Sequence, residues 1–192
     1  MDLSSRTILI TGATDGIGAV LAIEFSRLGS NIILLGRDSS KLDKVYDQLD
    51  SSFTSQKHLI LQADLGLLNN ESAHEILNAI AEEFTSLDGI IHNAAILGTM
   101  TTLEDYELSR WDEVLNVNLR APFLLTKTLK TILETSTLPR IIFTSSGVAN
   151  VGRAFWGAYS VSKFGLKGLA EIFANELETT SSIKVFNFDP GA

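Results

Sequence analysis

Six short runs of apolar side chains, spaced by longer amphipathic stretches, set the tightest limit on what this chain can fold into. They are TILIT (7–11), NIILLG (31–36), HLILQAD (58–64), LDGIIHNAA (87–95), RIIFTSS (140–146) and IKVFNFD (183–189). A strand with one solvated face alternates apolar and polar residues. These runs read as continuous, which suits a parallel sheet covered on both faces. The stretches between them read as helices over 16–28, 39–50, 71–84, about 104–134 with an interruption near Pro122, and 157–178. Gly29 fits the end of the first, and ESAHEILNAIAEEF carries the i, i+3, i+4 apolar stripe of the third. Alternating strands and helices with right-handed crossovers give an α/β doubly wound sheet in three layers. Ligands then bind just beyond the carboxyl ends of the strands.

Composition narrows the function. Hydrophobic residues make up 45% and charged residues 20% of 192, a globular balance within the reach of a single domain spanning 1–192. No linker-like or repetitive segment divides the chain. With no Cys there is no disulfide framework and no thiol nucleophile, which points to a cytoplasmic home. His58, His74 and His92 are scattered rather than set at ligand spacings, so no metal site is expected. A net charge of −8 argues against a nucleic-acid partner. MDLSSRTILITG does not read as a signal peptide, and the apolar runs are too short to span a bilayer.

Two motifs carry chemistry. The turn after the first strand reads TGATDGIG, with Gly12, Gly16 and Gly18. Such glycines allow a tight reversal, close approach of a pyrophosphate and close helix–strand packing. The helix that follows points its free N–H groups and positive dipole end at the anion. The second motif is AFWGAYSVSKFG, where Tyr159 and Lys163 share one helix face. Three Tyr and eight Lys would give such a pair by chance about once in eight sequences of this length. Placement just beyond the fifth strand gives it meaning. Tyr is a poor acid at a pKa of about 10, and a neighbouring Lys⁺ would lower that value by stabilising the phenolate. Ser146 could polarise a substrate oxygen, while Ser145 faces the other way.

Gly-x-x-x-Gly-x-Gly after Thr11, together with Tyr159-x-x-x-Lys163, resembles the short, single-domain branch of the short-chain dehydrogenase/reductase superfamily. The resemblance runs from Thr7 to Gly191. The Gly-x-x-Gly-x-x-Gly of the extended branch is not matched. This resemblance implies a Rossmann-like fold and a catalytic set of Ser146, Tyr159, Lys163 and Asn118. Ser146 stands thirteen residues before Tyr159, the family's interval. Asn118 matches the helix-kink Asn that holds a relay water, with Asn116 as the alternative beside it. Cofactor contacts are implied at Gly12, Thr14, Asp15, Gly16, Ile17 and Gly18, and at Asp64 and Leu65. Others are implied at Asn93, Ala94, Ala95, Tyr159, Lys163, Pro190 and Gly191.

His92-Asn93-Ala94-Ala95 stands where the family has Asn-Asn-Ala-Gly. His92 reads as a structural donor, and Ala95 adds a methyl where the cofactor approaches. Val148, Phe155 and Trp156 are the expected substrate wall, and Arg153 could face an anionic substrate group. By the same resemblance the long helices would pair two or four copies into a homodimer or homotetramer. In the family Pro-Gly opens a further segment that holds the nicotinamide carboxamide and the substrate lid. The resemblance therefore predicts a shortened chain with an open pocket and its sixth strand at the sheet edge.

Cofactor choice turns on the second strand's tip, Gly36-Arg37. A carboxylate there would accept the ribose hydroxyls of NAD, whereas a guanidinium suits a 2′-phosphate. The expectation is NADP(H) over NAD(H), with Asp38 and Asp15 opposing it. The expected function is an NADP(H)-dependent oxidoreductase interconverting a carbonyl and a secondary alcohol. The alternative is a catalytically silent NAD(P)-binding sensor or interaction protein of the same fold.

Overall fold

The computed structural model describes residues 3–53 and 55–191. Each apolar run forms a parallel strand: β1 (Thr7–Thr11), β2 (Asn31–Gly36), β3 (Leu59–Gln62), β4 (Gly89–His92), β5 (Arg140–Thr144) and β6 (Lys184–Phe188). They join one sheet in the order β3-β2-β1-β4-β5-β6. β1 is buried along its whole length, set against β2 from Thr7↔Asn31 to Thr11↔Leu35 and against β4 from Ile8↔Gly89 to Ile10↔Ile91. Strand order reverses there, which opens a crevice at the carboxyl ends of β1 and β4. β6 is an edge strand, as expected.

Alternate residues feed two cores. Leu9, Ile33, Leu35 and Ile90 face α3 (Asn70–Glu83), α5 (Ala121–Leu133) and α6 (Gly157–Glu178). Ile8, Ile10, Ile32, Leu34 and Ile91 face α1 (Gly16–Arg27) and α2 (Ser39–Tyr46). Each fully buried aliphatic side chain contributes about 1.5–3 kcal/mol. A capping box between Asn69 and Ser72 starts α3. Among the described residues no helix is long and apolar enough to cross a membrane.

The apolar runs overshoot their strands. Ala63 and Asp64, Asn93 to Ala95, and Ser145 and Ser146 lie past the last strand residues, where pairing has ended and the chain turns toward the crevice. The long helix expected over 104–134 is divided differently from the sequence reading. α4 spans Leu108–Leu115 and a π turn follows over Asn116–Arg120, ahead of α5. The Ala121 N–H reaches five residues back to the Asn116 carbonyl. Pro122 lies in the first turn of α5. Proline has no N–H to return to the fourth residue back, Asn118, so the distortion falls in the turn before it rather than at it.

His92 ends β4 with 2% of its surface exposed. Its ring stacks on Phe143 at 4.8 Å and Nε2 lies 2.8 Å from Thr126 Oγ1, while Nδ1 is buried with no hydrogen-bond partner among the described residues. Burial pushes its pKa down to about 3, against an ordinary 6.5. The unfolded chain therefore takes up a proton that the native chain refuses as pH falls from 6.5 toward 3, so stability falls with it. At about pH 5 the loss should be about 2 kcal/mol. Urea unfolding near neutrality and near pH 5 should show this extra loss in the wild type and not in His92→Asn; equal losses would refute it.

Candidate active site

The turn between β1 and α1 is held by contacts that leave no room for a side chain at Gly12 or Gly18. Gly12 has φ +64, and a Cβ there would lie 2.7 Å from Ala94 Cα; one on Gly18 would lie 2.3 Å from the Gly12 carbonyl oxygen. Asn93 Nδ2 donates to the carbonyls of Thr11 and Gly12, both at 3.3 Å. In return Thr11 Oγ1 accepts the N–H groups of Asn93 and Ala94, both at 3.1 Å. Asp15 caps α1, its Oδ1 accepting the Gly16 N–H at 2.7 Å.

A cleft of about 500 Å³ opens beside this turn. Gly12, Thr14, Asp15 and Gly16 line it from β1, and Gly36, Arg37, Asp38 and Lys41 from β2. Ala63, Asp64 and Leu65 close it after β3, and Asn93, Ala94, Ala95, Ile96 and Val117 on the β4 side. Of the residues expected to touch a cofactor, Ile17 and Gly18 stand on the first turn of α1 outside this lining, with Ile17 exposed. Pro190 and Gly191 are exposed beyond β6. The cleft suits a phosphate-bearing nucleotide: a glycine-bearing turn, a helix N-terminus and two cations.

Lys41, Ile96 and Val117 had not been anticipated. Lys41 lies three residues beyond the α2 cap Asp38, so the geometry of a first helical turn just after a strand tip could have found it. The Arg37 guanidinium is 3.9 Å from Asp64 Oδ2, and Lys41 Nζ is 3.7 Å from Asp15 Oδ2. Exposed pairs of this kind are weak and readily exchanged for a phosphate. The two acids that seemed to oppose a phosphate have other tasks. Asp15 caps α1, while Asp38 Oδ1 accepts the Lys41 N–H at 3.1 Å and the Ser40 hydroxyl at 2.8 Å. Those bonds hold the Asp38 carboxyl below the usual range.

At the other end, beyond β5, Ser146 stands near enough to Tyr159 to favour its ionised form. Lys163 is 2% exposed. Its Nζ donates to the Thr144 carbonyl at 2.7 Å and stands 5.6 Å from the centroid of the Tyr159 ring. Burial brings the Lys163 pKa down to about 8, partly offset by Asp189. The expected lowering of the Tyr159 pKa is not found. Burial raises it, Ser146 opposes that, and the Asp189 charge raises it further. Desolvation of the phenol is the largest influence. Asp189 was not singled out in the sequence.

Asn118, rather than Asn116, is the structural pivot. It is 1% exposed; its Oδ1 accepts the Ile96 N–H at 2.8 Å, and Nδ2 donates to Ile96 O at 2.9 Å and Ser162 Oγ at 3.0 Å. Asn116 instead lines a surface groove with Phe123 and Leu169.

On the expected substrate wall, Val148 is 2% exposed, so it is core rather than wall; its backbone carbonyl accepts the Ser160 hydroxyl. Phe155 is exposed with φ +70. The Trp156 ring lies 5.9 Å from Tyr159, and the Arg153 guanidinium sits 5.8 Å above the indole.

Crevices at the reversal of a doubly wound sheet are nucleotide sites as a class, and this one carries the glycine spacing of that class. The short-chain dehydrogenase family profile matches residues 6–192, and the chain belongs to that family. It is 36% identical over 185 residues to the oxidoreductase YciK of Escherichia coli K12, whose function is uncharacterised, covering 96% of this chain and 73% of that relative. It superimposes with a TM-score of 0.94 on a structure from Pseudomonas syringae assigned as a short-chain dehydrogenase. That pair is 39% identical and covers 99% of this chain and 76% of the other. A structure from Escherichia coli CFT073, likewise assigned as a short-chain dehydrogenase and complexed with NADPH, gives 0.92 at 36% identity, covering 99% and 78%.

Glycine substitutions separate space from flexibility. Gly18→Ala forces a methyl against the Gly12 carbonyl and should cost about 1–3 kcal/mol. Gly168→Ala in α6, with nothing within 4 Å, should stabilise by about 0.5–1 kcal/mol. Melting temperatures moving in opposite directions are the expected outcome; a harmless Gly18→Ala would refute the tight-turn account.

Proposed function

We propose that this chain is an NADP(H)-dependent oxidoreductase interconverting a carbonyl compound and a secondary alcohol. The observation that carries this reading is co-location. The nucleotide-sized cleft and the Ser146–Tyr159–Lys163 group both lie beyond the carboxyl ends of the sheet's strands, joined by the Asn118 contacts. NADP(H) is favoured over NAD(H) by Arg37 and Lys41 on the β2 side of the cleft and by the NADPH held by the Escherichia coli CFT073 relative.

Bound here, the cofactor supplies the hydride. The Ser146 hydroxyl donates to the substrate oxygen as negative charge builds on it, and the Tyr159 hydroxyl gives that oxygen its proton. A raised Tyr159 pKa keeps the proton on the phenol near neutrality, ready for carbonyl reduction. Lys163, with one N–H committed to Thr144, has donors left for ribose hydroxyls and the proton path. The Asn118 side chain bonds Ile96 and Ser162 and so holds the π turn against the loop after β4, with one Oδ1 lone pair left for a relay water. Phe155 and Trp156 form the substrate wall, with Arg153 available to an anionic group.

The reading extends to a single domain working in the cytoplasm, paired with a second copy through the groove of Leu115, Leu119, Phe123 and Leu169.

The decisive assay follows NADPH oxidation against a panel of carbonyl compounds, for this chain and for one extended beyond Ala192. Tyr159→Phe should lower the rate by about a hundredfold or more in whichever form turns over. Equal rates would defeat the mechanism, and binding without turnover in both forms would favour the silent sensor. Arg37→Ala should weaken NADPH binding about tenfold and leave NADH binding nearly unchanged; equal losses for both cofactors would remove Arg37 from the phosphate contact.

A further inference from the structure

Asp189 is a carboxylate that neither the glycine turn nor the Tyr–Lys spacing accounts for. It follows β6 directly, where the Ser145 N–H donates to the Phe188 carbonyl at 2.6 Å, so it lies level with the start of the Ser145–Ser146 segment. One carboxylate oxygen, Oδ1, accepts the Gly191 N–H at 3.0 Å. The other points at Gly147, 3.9 Å from where a Cβ on that residue would be. Asp189 is thus turned toward the residue next to Ser146. Phe188, the residue before Asp189, pairs with Thr144, whose carbonyl accepts the Lys163 Nζ hydrogen bond at 2.7 Å, and the Asp189 charge acts on both Tyr159 and Lys163. Lys163 is the cation on that face of the group, and Arg153 stands above Trp156.

Hydride transfer changes charge at one place. The reduced nicotinamide ring is neutral and the oxidised ring carries +1. Hydride and the Tyr159 proton go to the carbon and oxygen of one carbonyl group, so the ring must sit within a carbonyl's reach of Tyr159. A charge that acts on Tyr159 and Lys163 therefore acts on that ring as well. We propose that Asp189 is a charge-discriminating positioning residue, which makes the site hold the oxidised, cationic cofactor more tightly relative to the neutral reduced form. This inference rests on the proposed cofactor site. It implies that the site accommodates the positive charge that hydride donation leaves behind, as suits carbonyl reduction.

Dissociation constants of NADP⁺ and NADPH, measured by fluorescence or calorimetry on the wild type, Asp189→Asn and Asp189→Glu, test it without any substrate. The ratio Kd(NADP⁺)/Kd(NADPH) should rise about threefold to tenfold in Asp189→Asn and stay near wild type in Asp189→Glu. In the wild type the ratio should also rise with salt, and in Asp189→Asn it should be nearly flat, a response that a purely structural residue would not give. A ratio within about twofold of wild type in Asp189→Asn, with both cofactors still bound, overturns the inference alone. Failure of the wild type to bind either cofactor overturns the proposed function and this inference together.

Discussion

A strand buried on both faces can satisfy its backbone only through neighbouring strands and needs a helical layer on each side. β1 is such a strand, and the rest of the architecture follows from it. Its odd and even residues feed different cores, so α1 and α2 must cover one face and α3, α5 and α6 the other. Because β2 and β4 flank β1 in parallel, the chain leaves β1 in one direction and returns for β4 on the opposite side. In the crevice between those departures, backbone N–H groups of the β1 turn and the start of α1 face outward.

Close contacts convert that crevice into a defined site. Thr11, Asn93 and Ala94 exchange hydrogen bonds with the β1 turn, fixing how far the loop after β4 stands from it. Ile96, two residues further on, is gripped by the buried amide of Asn118, which in turn is bonded to Ser162 beside Lys163. Hydrogen bonds joined by the short 94–96 segment therefore link the cleft to the Tyr159 group. The π turn is its hinge point, since an unbroken α-helix through 104–134 would present Asn118 differently to the loop at Ile96 and to Ser162. Burying an amide with every polar atom satisfied fixes the distance between the two ends of the site.

Much of this was legible in the residues. The six apolar runs gave the strands and the sheet type because burial on both faces removes alternation. The boundaries of α6 coincided with those read from sequence, since Trp156 and Thr179 flank an uninterrupted helical pattern. The π turn was displaced from its expected place because a proline marks the next turn, and a sequence shows the proline rather than the widened turn ahead of it. Val148 was misread as a wall because its direction depends on the short 3₁₀ turn over Gly147–Ala149. Lys41 and Asp189 were overlooked because each reaches the site from a different strand end than the motif it assists.

By itself the sequence determined the layer architecture, the tight glycine turn and the pairing of Tyr159 with Lys163, since each follows from local periodicity or spacing. Only the tertiary structure decided the electrostatics. Asp15 and Asp38 proved to be helix caps as well as cleft carboxylates, and burial raised the Tyr159 pKa where a neighbouring lysine alone would have lowered it. Asp189 acquired a part in the site through the pairing of β6 with β5. Charges act through space and in proportion to desolvation, and both are set by which strand ends the sheet brings together.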